Sequence, residues 1–562
     1  MTPCDSYFMG KTRLLRGPWQ AFERDVARLF LMNGFQDVRI VGGTGDRGAD
    51  ILAAKDGVLW ITQCKHTTTS PPSVAAVDEV IEGAKFYGAE KLLVATSRPA
   101  SDALRARIQS ERALGLPIEL AEPSQLLTWM QNSPEYPPGS RKLRPDQANA
   151  AERLRNALID TGRGQLVLAT GLGKTVVIAE TVADLLRDGL VAGNRVLVLA
   201  HTRPLVDQLL QAFWFQLPKW IATHRLADQE VPSYWEGVTF ATIQSITNHL
   251  ADLPPFGLVL VDEAHHIGAA TFQEAIDTLK PPMLAGVTAT PWRGDGYDID
   301  RLLGPPLVKI GIAEGLQQGF LSNVDYRLLA DNLDWNFVQS ASCHHYSLSQ
   351  LNRRLILPTR DEEAARLAND VFTREGRKSS IVYCASSVHA NEFAATLRQY
   401  GHRAEAILSN TPPRERERLL SRFRTGDLQF ATTVDLFNEG VDVPDVDMIV
   451  FMRVTHSRRI FVQQLGRGLR TSRGKEKVIV LDFVTDLRRI AEVVDLDAAA
   501  RGGSVERLGL GTSLVSFSDK SAGSFLKEWM IDQASLFLRE GDPDLEVPDF
   551  DFPDSAPPGG IQ

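Results

Sequence analysis

The chain has 562 residues and a net charge of -9, a length that accommodates about three to five domains. With 43% apolar and 23% charged residues it has the composition of a globular chain, not a fibrous or disordered one, and no apolar run is long enough to span a membrane. The acidic balance excludes a uniformly basic coating protein, although a local positive track would suffice to hold nucleic acid. Cys4, Cys64, Cys343 and Cys384 lie far apart and form no CxxC pair, which argues against a disulfide framework or a structural zinc site and fits a reducing, cytoplasmic setting. Met1 to Gly17 lacks a continuous apolar core, so no signal peptide is expected.

Pro18 to Gly34 reads as one helix, with Pro18 at its first position and Gly34 as its C-terminal cap. Trp19, Phe22, Val26, Leu29 and Phe30 form an apolar stripe at helical spacing, and Glu23 falls inside it. A core-facing carboxylate needs a metal ion or a lysine to compensate it; the alternative is a glutamate at the edge of the stripe that reaches solvent. A short strand over Val38–Val41 leads into a glycine-rich loop, Gly42 to Gly48. Ala49–Ala54 and Val58–Lys65 then flank the turn residues Lys55-Asp56-Gly57, which predicts a hairpin. Gln63 and Lys65 project from one face. If Asp50 pairs opposite Gln63, then Asp50, Gln63 and Lys65 share that face, and a slip of one residue would separate them. An acid, an amide oxygen and a lysine beside Glu23 can build a Mg²⁺ site in which Lys65 positions or deprotonates a water.

Phe22-Glu23, Gly45-Asp46-Arg47-Gly48-Ala49-Asp50-Ile51 and Gln63-Cys64-Lys65 resemble the PD-(D/E)xK nucleases, specifically the Mrr-like restriction endonucleases, over about residues 16–130. Gln63 stands where the general pattern has an acid, a replacement usual in that branch. The resemblance implies a restriction-endonuclease-like α/β domain, assigned to 1–130, that cuts DNA with Mg²⁺. An inactive nuclease fold kept for DNA binding is the other reading.

The polar, Pro-rich stretch 131–141 reads as a linker. Two blocks follow, 142–323 and 358–494, joined by a connector at 324–357. Both alternate short β-branched runs with helical patterns: Gln165–Ala169, Arg195–Ala200 and Leu258–Val261 in the first, Ser380–Tyr383, Met448–Phe451 and Val478–Leu481 in the second. Runs apolar on both faces and separated by helices indicate parallel sheets covered on both sides. Ligands of such sheets bind at the carboxyl ends of the strands.

After the first run comes Thr170-Gly171-Leu172-Gly173-Lys174-Thr175, then a helix pattern. Such a loop can wrap phosphate with its backbone N–H groups at a helix N-terminus; Lys174 would hold the β/γ-phosphates and Thr175 would ligate Mg²⁺. Leu168 occupies the place of the first glycine of the full pattern. The run Leu258–Val261 ends in Asp262-Glu263-Ala264-His265. Asp262 is placed to hold the Mg²⁺ shell and Glu263 to orient and deprotonate the attacking water; alternatively the two acids cap the next helix.

Further motifs resemble the superfamily 2 helicases, in order, over about residues 142–485. Leu143-Arg144-Pro145-Asp146-Gln147 resembles the segment whose glutamine, here Gln147, reads adenine. His201-Thr202-Arg203, Thr242-Ile243-Gln244, Asp262–His265 (DEAH), Thr288-Ala289-Thr290-Pro291, Asn438 to Pro444 and Gln463 to Arg470 resemble motifs Ia, Ib, II, III, V and VI. The resemblance implies two RecA-like domains, nucleotide contacts from Gly440 and Asp442, and Arg467 and Arg470 as guanidinium groups that reach the γ-phosphate when the lobes close. Thr202, Arg203, Thr242, Gln244, Ser386 and Thr433 are candidate strand contacts, although Ser and Thr at strand ends are also ordinary helix caps.

The loop form and the TATP segment are similar to the motors of type I and type III restriction enzymes. The two resemblances together imply an ATP- and Mg²⁺-dependent motor and nuclease on DNA, most simply duplex, in restriction or anti-phage defence. They leave room for a separate methyltransferase or defence subunit as partner. A remodelling helicase on DNA or RNA, recruited by a binding-only first domain, is the alternative. Cys343-His344-His345 lacks metal-site spacing elsewhere. Arg414, Arg416, Arg418, Arg422 and Arg424 form either a phosphate-facing patch or a solvated helix face. No role is assigned to 495–541, and the acidic Pro/Gly-rich tail 542–562 reads as disordered.

Overall fold

A computed structural model describes residues 7–42, 48–140, 142–227, 229–289, 299–329, 345–346, 361–434, 436–437, 446–452, 464, 468–469, 475, 477–483, 515–516 and 550–551. The chain divides into two compact units: 1–168 with 173–309, and 169–172 with 310–562.

The first unit contains two sheets. Helices α1 (Lys11–Leu14) and α2 (Trp19–Met32) precede strands β1 (Gln36–Ile40), β2 (Ile51–Lys55) and β3 (Val58–Lys65). Then come α3 (Ala75–Tyr87), β4 (Lys91–Thr96), α4 (Asp102–Ala113), β5 (Ile118–Ala121) and α5 (Pro123–Asn132). The strands lie in chain order, with β1–β2–β3 antiparallel and β3–β4–β5 parallel. Pro18 is the extended N-cap of α2 rather than its first helical residue, and Asn33, not Gly34, is its C-cap. The stripe packs as expected except at its start, where Trp19 is 48% exposed, because one turn at a helix end has no neighbour on every side. Glu23 is buried, which settles its placement against the solvent-edge alternative.

The second sheet of this unit is built from β6 (Arg163–Leu168), β7 (Arg195–Ala200), β8 (Thr223–Leu226), β9 (Gly237–Thr242), β10 (Leu258–Asp262), β11 (Met283–Thr288) and β12 (Pro306–Ile310), in the order β12-β6-β11-β10-β7-β9-β8. Its registered pairs are parallel. Helices α6 (Pro145–Thr161), α7 (Lys174–Arg187), α8 (Arg203–Trp214), α9 (Ile243–His249) and α10 (Ala270–Leu279) connect the strands. The central strands are buried along almost their whole length, as expected of strands covered on both faces.

The two sheets of this unit are bolted together through α2. Arg28, fully buried, donates to the carbonyl oxygens of Ile221 at 2.7 Å, Pro218 at 3.0 Å and Leu217 at 3.2 Å, with its guanidinium 4.3 Å from the Phe8 ring centroid. Arg24 pairs with Glu230. In the opposite direction Lys219 donates to the carbonyls of Ser133 at 2.8 Å and Gln131 at 3.2 Å, and its own N–H to Glu135 at 2.9 Å. The stretch read as a linker is therefore held along its first half.

In the second unit, β13 (Asn323–Leu329), β15 (Ser380–Tyr383), β16 (Ala404–Ala406), β17 (Phe430–Thr433), β18 (Met448–Phe451), β19 (Lys477–Phe483) and β20 (Val515–Ser516) form a parallel sheet in the order β16-β17-β15-β18-β19-β13-β20, while β14 (His345–Tyr346) pairs antiparallel with β21 (Phe550–Asp551). Three segments differ from the sequence reading. The start of the connector, 324–329, is a strand of this sheet; Val324 and Tyr326 are buried in it. Val515–Ser516, from the unassigned segment, adds an edge strand, and Phe550–Asp551, in the tail read as disordered, forms a short ladder; in both cases distant strand partners supply the hydrogen bonds that the local pattern could not announce.

Candidate functional site

In the N-terminal domain the hairpin ladder runs from Lys55 opposite Val58 to Ile51 opposite Thr62 and ends there, so the regular pairing of Asp50 with Gln63 that the sequence left conditional does not follow. Asp50 N–H donates to Thr62 O at 2.9 Å, and Cys64 N–H donates to Asp50 Oδ2 at 2.6 Å. Asp50 instead reaches the end of β3 through its carboxylate, which meets the backbone of Cys64 between Gln63 and Lys65. Glu23 joins it from α2: a Cβ on Gly42 would lie 3.0 Å from a Glu23 carboxylate oxygen and 3.1 Å from one of Asp50. Glu23, Asp50 and Gln63 are all buried. Burial, then the charges of Asp50 and Glu23, push the Cys64 thiol well above its ordinary range, against the pull of Lys65. Gln63 Oε1 is buried without a hydrogen-bond partner among the described residues. Two buried carboxylates and an orphaned amide oxygen are hard oxygen donors and fit a divalent cation.

The sequence reading missed Glu79. Lys65 Nζ lies 2.5 Å from Glu79 Oε2 on α3. Nothing in the local pattern marks Glu79, which falls on a helix face among other polar residues. Of the glycine loop, residues 43–47, including Asp46, lie outside the described residues.

In the motor sheet, β6 leads into the loop 169–173, where Gly171 (φ +92°) and Gly173 (φ +84°) take left-handed backbone open chiefly to glycine. Helix α7 then begins at Lys174, directly followed by Thr175. Gln147 is buried and acts as a capping residue, its Oε1 accepting from Arg144 N–H at 3.1 Å; its Nε2 would meet a Cβ on Gly173 at 2.3 Å, so the glutamine adjoins the loop. Across the sheet, β10 delivers Asp262 and Glu263. Lys174 Nζ is 3.9 Å from Glu263 Oε1. Burial first, then the charge of Glu263, push the Asp262 carboxyl up to about 7, against the pull of Lys174. A buried acid so destabilised in its charged form, beside a second acid and a lysine at a helix N-terminus, fits a site for a cation and phosphates. Glu263 holds a left-handed backbone (φ +50°), strain of about 1 kcal/mol in a non-glycine residue. Its Oε2 lies 3.3 Å from His265 Nδ1, which in turn is 2.9 Å from Thr288 Oγ1. The capping alternative for the two acids therefore gives way to a cluster.

The strand-contact candidates divide. Thr202, Arg203 and Gln244 sit at partly or fully exposed positions. Thr242 and Ser386 instead cap helices, accepting from Ser245 N–H at 3.2 Å and His389 N–H at 3.1 Å, because a hydroxyl at a strand-to-helix junction finds a free backbone donor first. Thr433 is fully buried. Arg418, Arg422 and Arg424 form ion pairs with Glu415, Asp427 and Glu417, the arrangement of a solvated helix face. Gly440, Asp442, Arg467 and Arg470 lie outside the described residues, as do Thr290, Pro291, Cys343 and His344. No helix among the described residues is long and apolar enough to cross a membrane.

These folds and residue sets define a superfamily 2 helicase-type motor preceded by an Mrr-like restriction-endonuclease domain. Family matches agree: "Restriction endonuclease" covers residues 14–130, "Type III restriction enzyme, res subunit" 140–293, and "Helicase conserved C-terminal domain" 363–472. Among similar proteins, the "51.5 kDa protein" of a Lactococcus phage is 27% identical over 325 residues, 55% of this chain and 63% of that protein. The "DNA 3'-5' translocase XPB2" of Sulfurisphaera tokodaii is 24% identical over 380 residues, 61% of this chain and 82% of that protein. In fold, the chain is similar to the "ATP-dependent Type ISP restriction-modification enzyme LlaBIII bound to DNA", with a TM-score of 0.53 at 17% identity, over 93% of this chain and 42% of that one. The chain thus spans well under the full length of the phage protein and of the restriction enzyme.

Proposed function

We propose that this chain is an ATP-driven DNA translocase joined to a Mg²⁺-dependent DNA endonuclease, working in restriction or anti-phage defence. The carrying observation is that each domain gathers its own reactive set: Lys174 facing Glu263 beside Asp262 in one, and the Glu23 and Asp50 carboxylates around Gly42, with Asp50 accepting from the Cys64 N–H between Gln63 and Lys65, in the other.

In the motor, Gly171, Gly173 and the Thr170 backbone cradle the phosphates, Lys174 neutralises them, and Gln147 stands beside the loop to read the base. Thr175 and Asp262 would hold Mg²⁺. Glu263 orients the attacking water and takes its proton, and Arg467 and Arg470 are proposed to stabilise charge on the γ-phosphate. In the nuclease domain Glu23, Asp50 and Gln63 would hold Mg²⁺, which would supply polarisation of the scissile phosphodiester. Lys65 orients or deprotonates the water there.

The test is plasmid cleavage with Mg²⁺, with and without ATP, by wild type, Lys65→Ala and Lys174→Ala. Cleavage by wild type and none by Lys65→Ala supports the reading, and the Lys174→Ala lane reports whether cutting depends on the motor. The Lys65–Glu79 ion pair favours a second reading, in which the N-terminal domain recruits the motor to DNA without cutting. That reading takes over if DNA-stimulated ATP hydrolysis persists while neither modified nor unmodified plasmid is cut.

A further inference from the structure

We propose that His266 is a positioning residue that joins the catalytic end of β10 to the candidate strand-contact loop after β7, so that DNA engagement is felt at Glu263; this rests on the reading that the first motor lobe hydrolyses ATP and holds DNA at that loop.

The geometry begins with the backbone. The turn of Glu263 into left-handed conformation starts a single 3₁₀ turn, Ala264–His266, closed by His266 N–H donating to Glu263 O at 2.9 Å. That turn sets two imidazoles side by side, with the His265 and His266 ring centroids 4.2 Å apart. His266 then lies 4.5 Å, centroid to centroid, from His201, the residue that follows β7 and precedes Thr202, the N-cap of α8. Strands β7 and β10 are direct neighbours, with Leu199 opposite Val261, so their two outgoing loops leave the sheet side by side.

A continuous line of side chains results. Glu263 contacts His265, His265 contacts both Thr288 at the end of β11 and the ring of His266, and His266 contacts His201 next to Thr202 and Arg203. Close-packed rings cannot move independently, because a shift of one opens a gap against the next. A displacement of the His201–Arg203 loop by a bound strand therefore acts on His266, and through His265 on the orientation of the Glu263 carboxylate. His266 is half-buried and sits between Ala264 and Ile267 of the apolar core, so thermal melting must accompany any substitution of it. Its proposed action is wholly through Glu263.

The experiment is ATP hydrolysis titrated with duplex DNA, for wild type, His266→Leu, His266→Phe and Lys174→Ala, with thermal melting of each. His266→Leu is expected to lose about tenfold of its DNA stimulation, read as the ratio of its hydrolysis rates with and without DNA, the size of an ordinary coupling between two sites. His266→Phe, which keeps a flat ring in the stack, is expected to recover most of it. Should His266→Leu fail to fold, His201→Leu cuts the stack from the other side and is expected to lose the same stimulation. A His266→Leu protein stimulated like wild type, or a His266→Phe protein no better than His266→Leu, overturns the proposal while leaving the ATPase reading intact. A wild type without Lys174-dependent hydrolysis overturns the ATPase reading, and the positioning role with it.

Discussion

Gly48 lies against the backbone of Glu79 so closely that a Cβ on the glycine would fall 1.9 Å from the Glu79 carbonyl oxygen, and Glu79 is the residue whose carboxylate holds Lys65. The loop after β1 thus sets how near α3 approaches the candidate nuclease site. Gly48 also has φ +78°, so alanine there meets both left-handed strain and a backbone atom that cannot swing aside. Gly48→Ala is expected to destabilise the N-terminal domain by about 3 kcal/mol and to abolish DNA cleavage, while ATP hydrolysis persists. Thermal melting and paired cleavage and hydrolysis assays check it; cleavage at the wild-type rate would refute it.

Glu263→Gln removes the base but keeps the volume. Nucleotide binding, which rests on Lys174 and the loop, should survive, while hydrolysis should fall by about 10²–10⁴-fold, the usual contribution of a positioned base. Fluorescent-nucleotide binding and single-turnover hydrolysis separate the two effects. Equal losses in both would instead assign Glu263 to binding.

Arg28 joins the nuclease and motor sheets of the first unit through three carbonyl oxygens. Arg28→Met keeps the stem but leaves those acceptors buried and unpaired, at a cost of about 3 kcal/mol. Scanning calorimetry should show the N-terminal domain melting apart from the motor lobe in the variant and together with it in wild type. A single unchanged transition would mean that the interface stands without Arg28.

His224 is buried beside the same interface, and its Nε2 is 2.9 Å from Glu236 O. Burial lowers its pKa from 6.5 to about 4. The folded state therefore resists protonation that the unfolded chain accepts, so this residue's contribution is intact above pH 6.5 and is lost as pH falls toward 4. The full loss is about 3 kcal/mol. His224→Gln, which does not titrate there, should lose less stability than wild type over that interval. Denaturant midpoints at pH 7 and pH 4.5 measure the difference, and parallel curves would refute it.

Much of the fold was legible locally. Runs such as Arg195–Ala200 and Met448–Phe451 are strands to the residue, because apolarity on both faces over so short a span has few other stable uses. Phosphate-loop glycines and the acids after β10 could be read because their spacing is itself the chemistry. The nuclease set was legible only conditionally: its common face depended on a hairpin register, and the ladder stops at Ile51 and Thr62, one residue short of Asp50 and Gln63.

What the sequence by itself determined, then, was the kind of element at each place and the reactive residues that neighbours in the chain hold together. Only tertiary structure decided that Glu79 meets Lys65, that Arg28 reaches Ile221 across 193 positions of chain, that the tilted rings of His201 and His266 pack together, and that Thr242 and Ser386 are spent on capping. Each of these contacts joins groups whose separation along the chain carries no period or spacing, so burial and hydrogen-bond satisfaction select them only once the sheets are assembled.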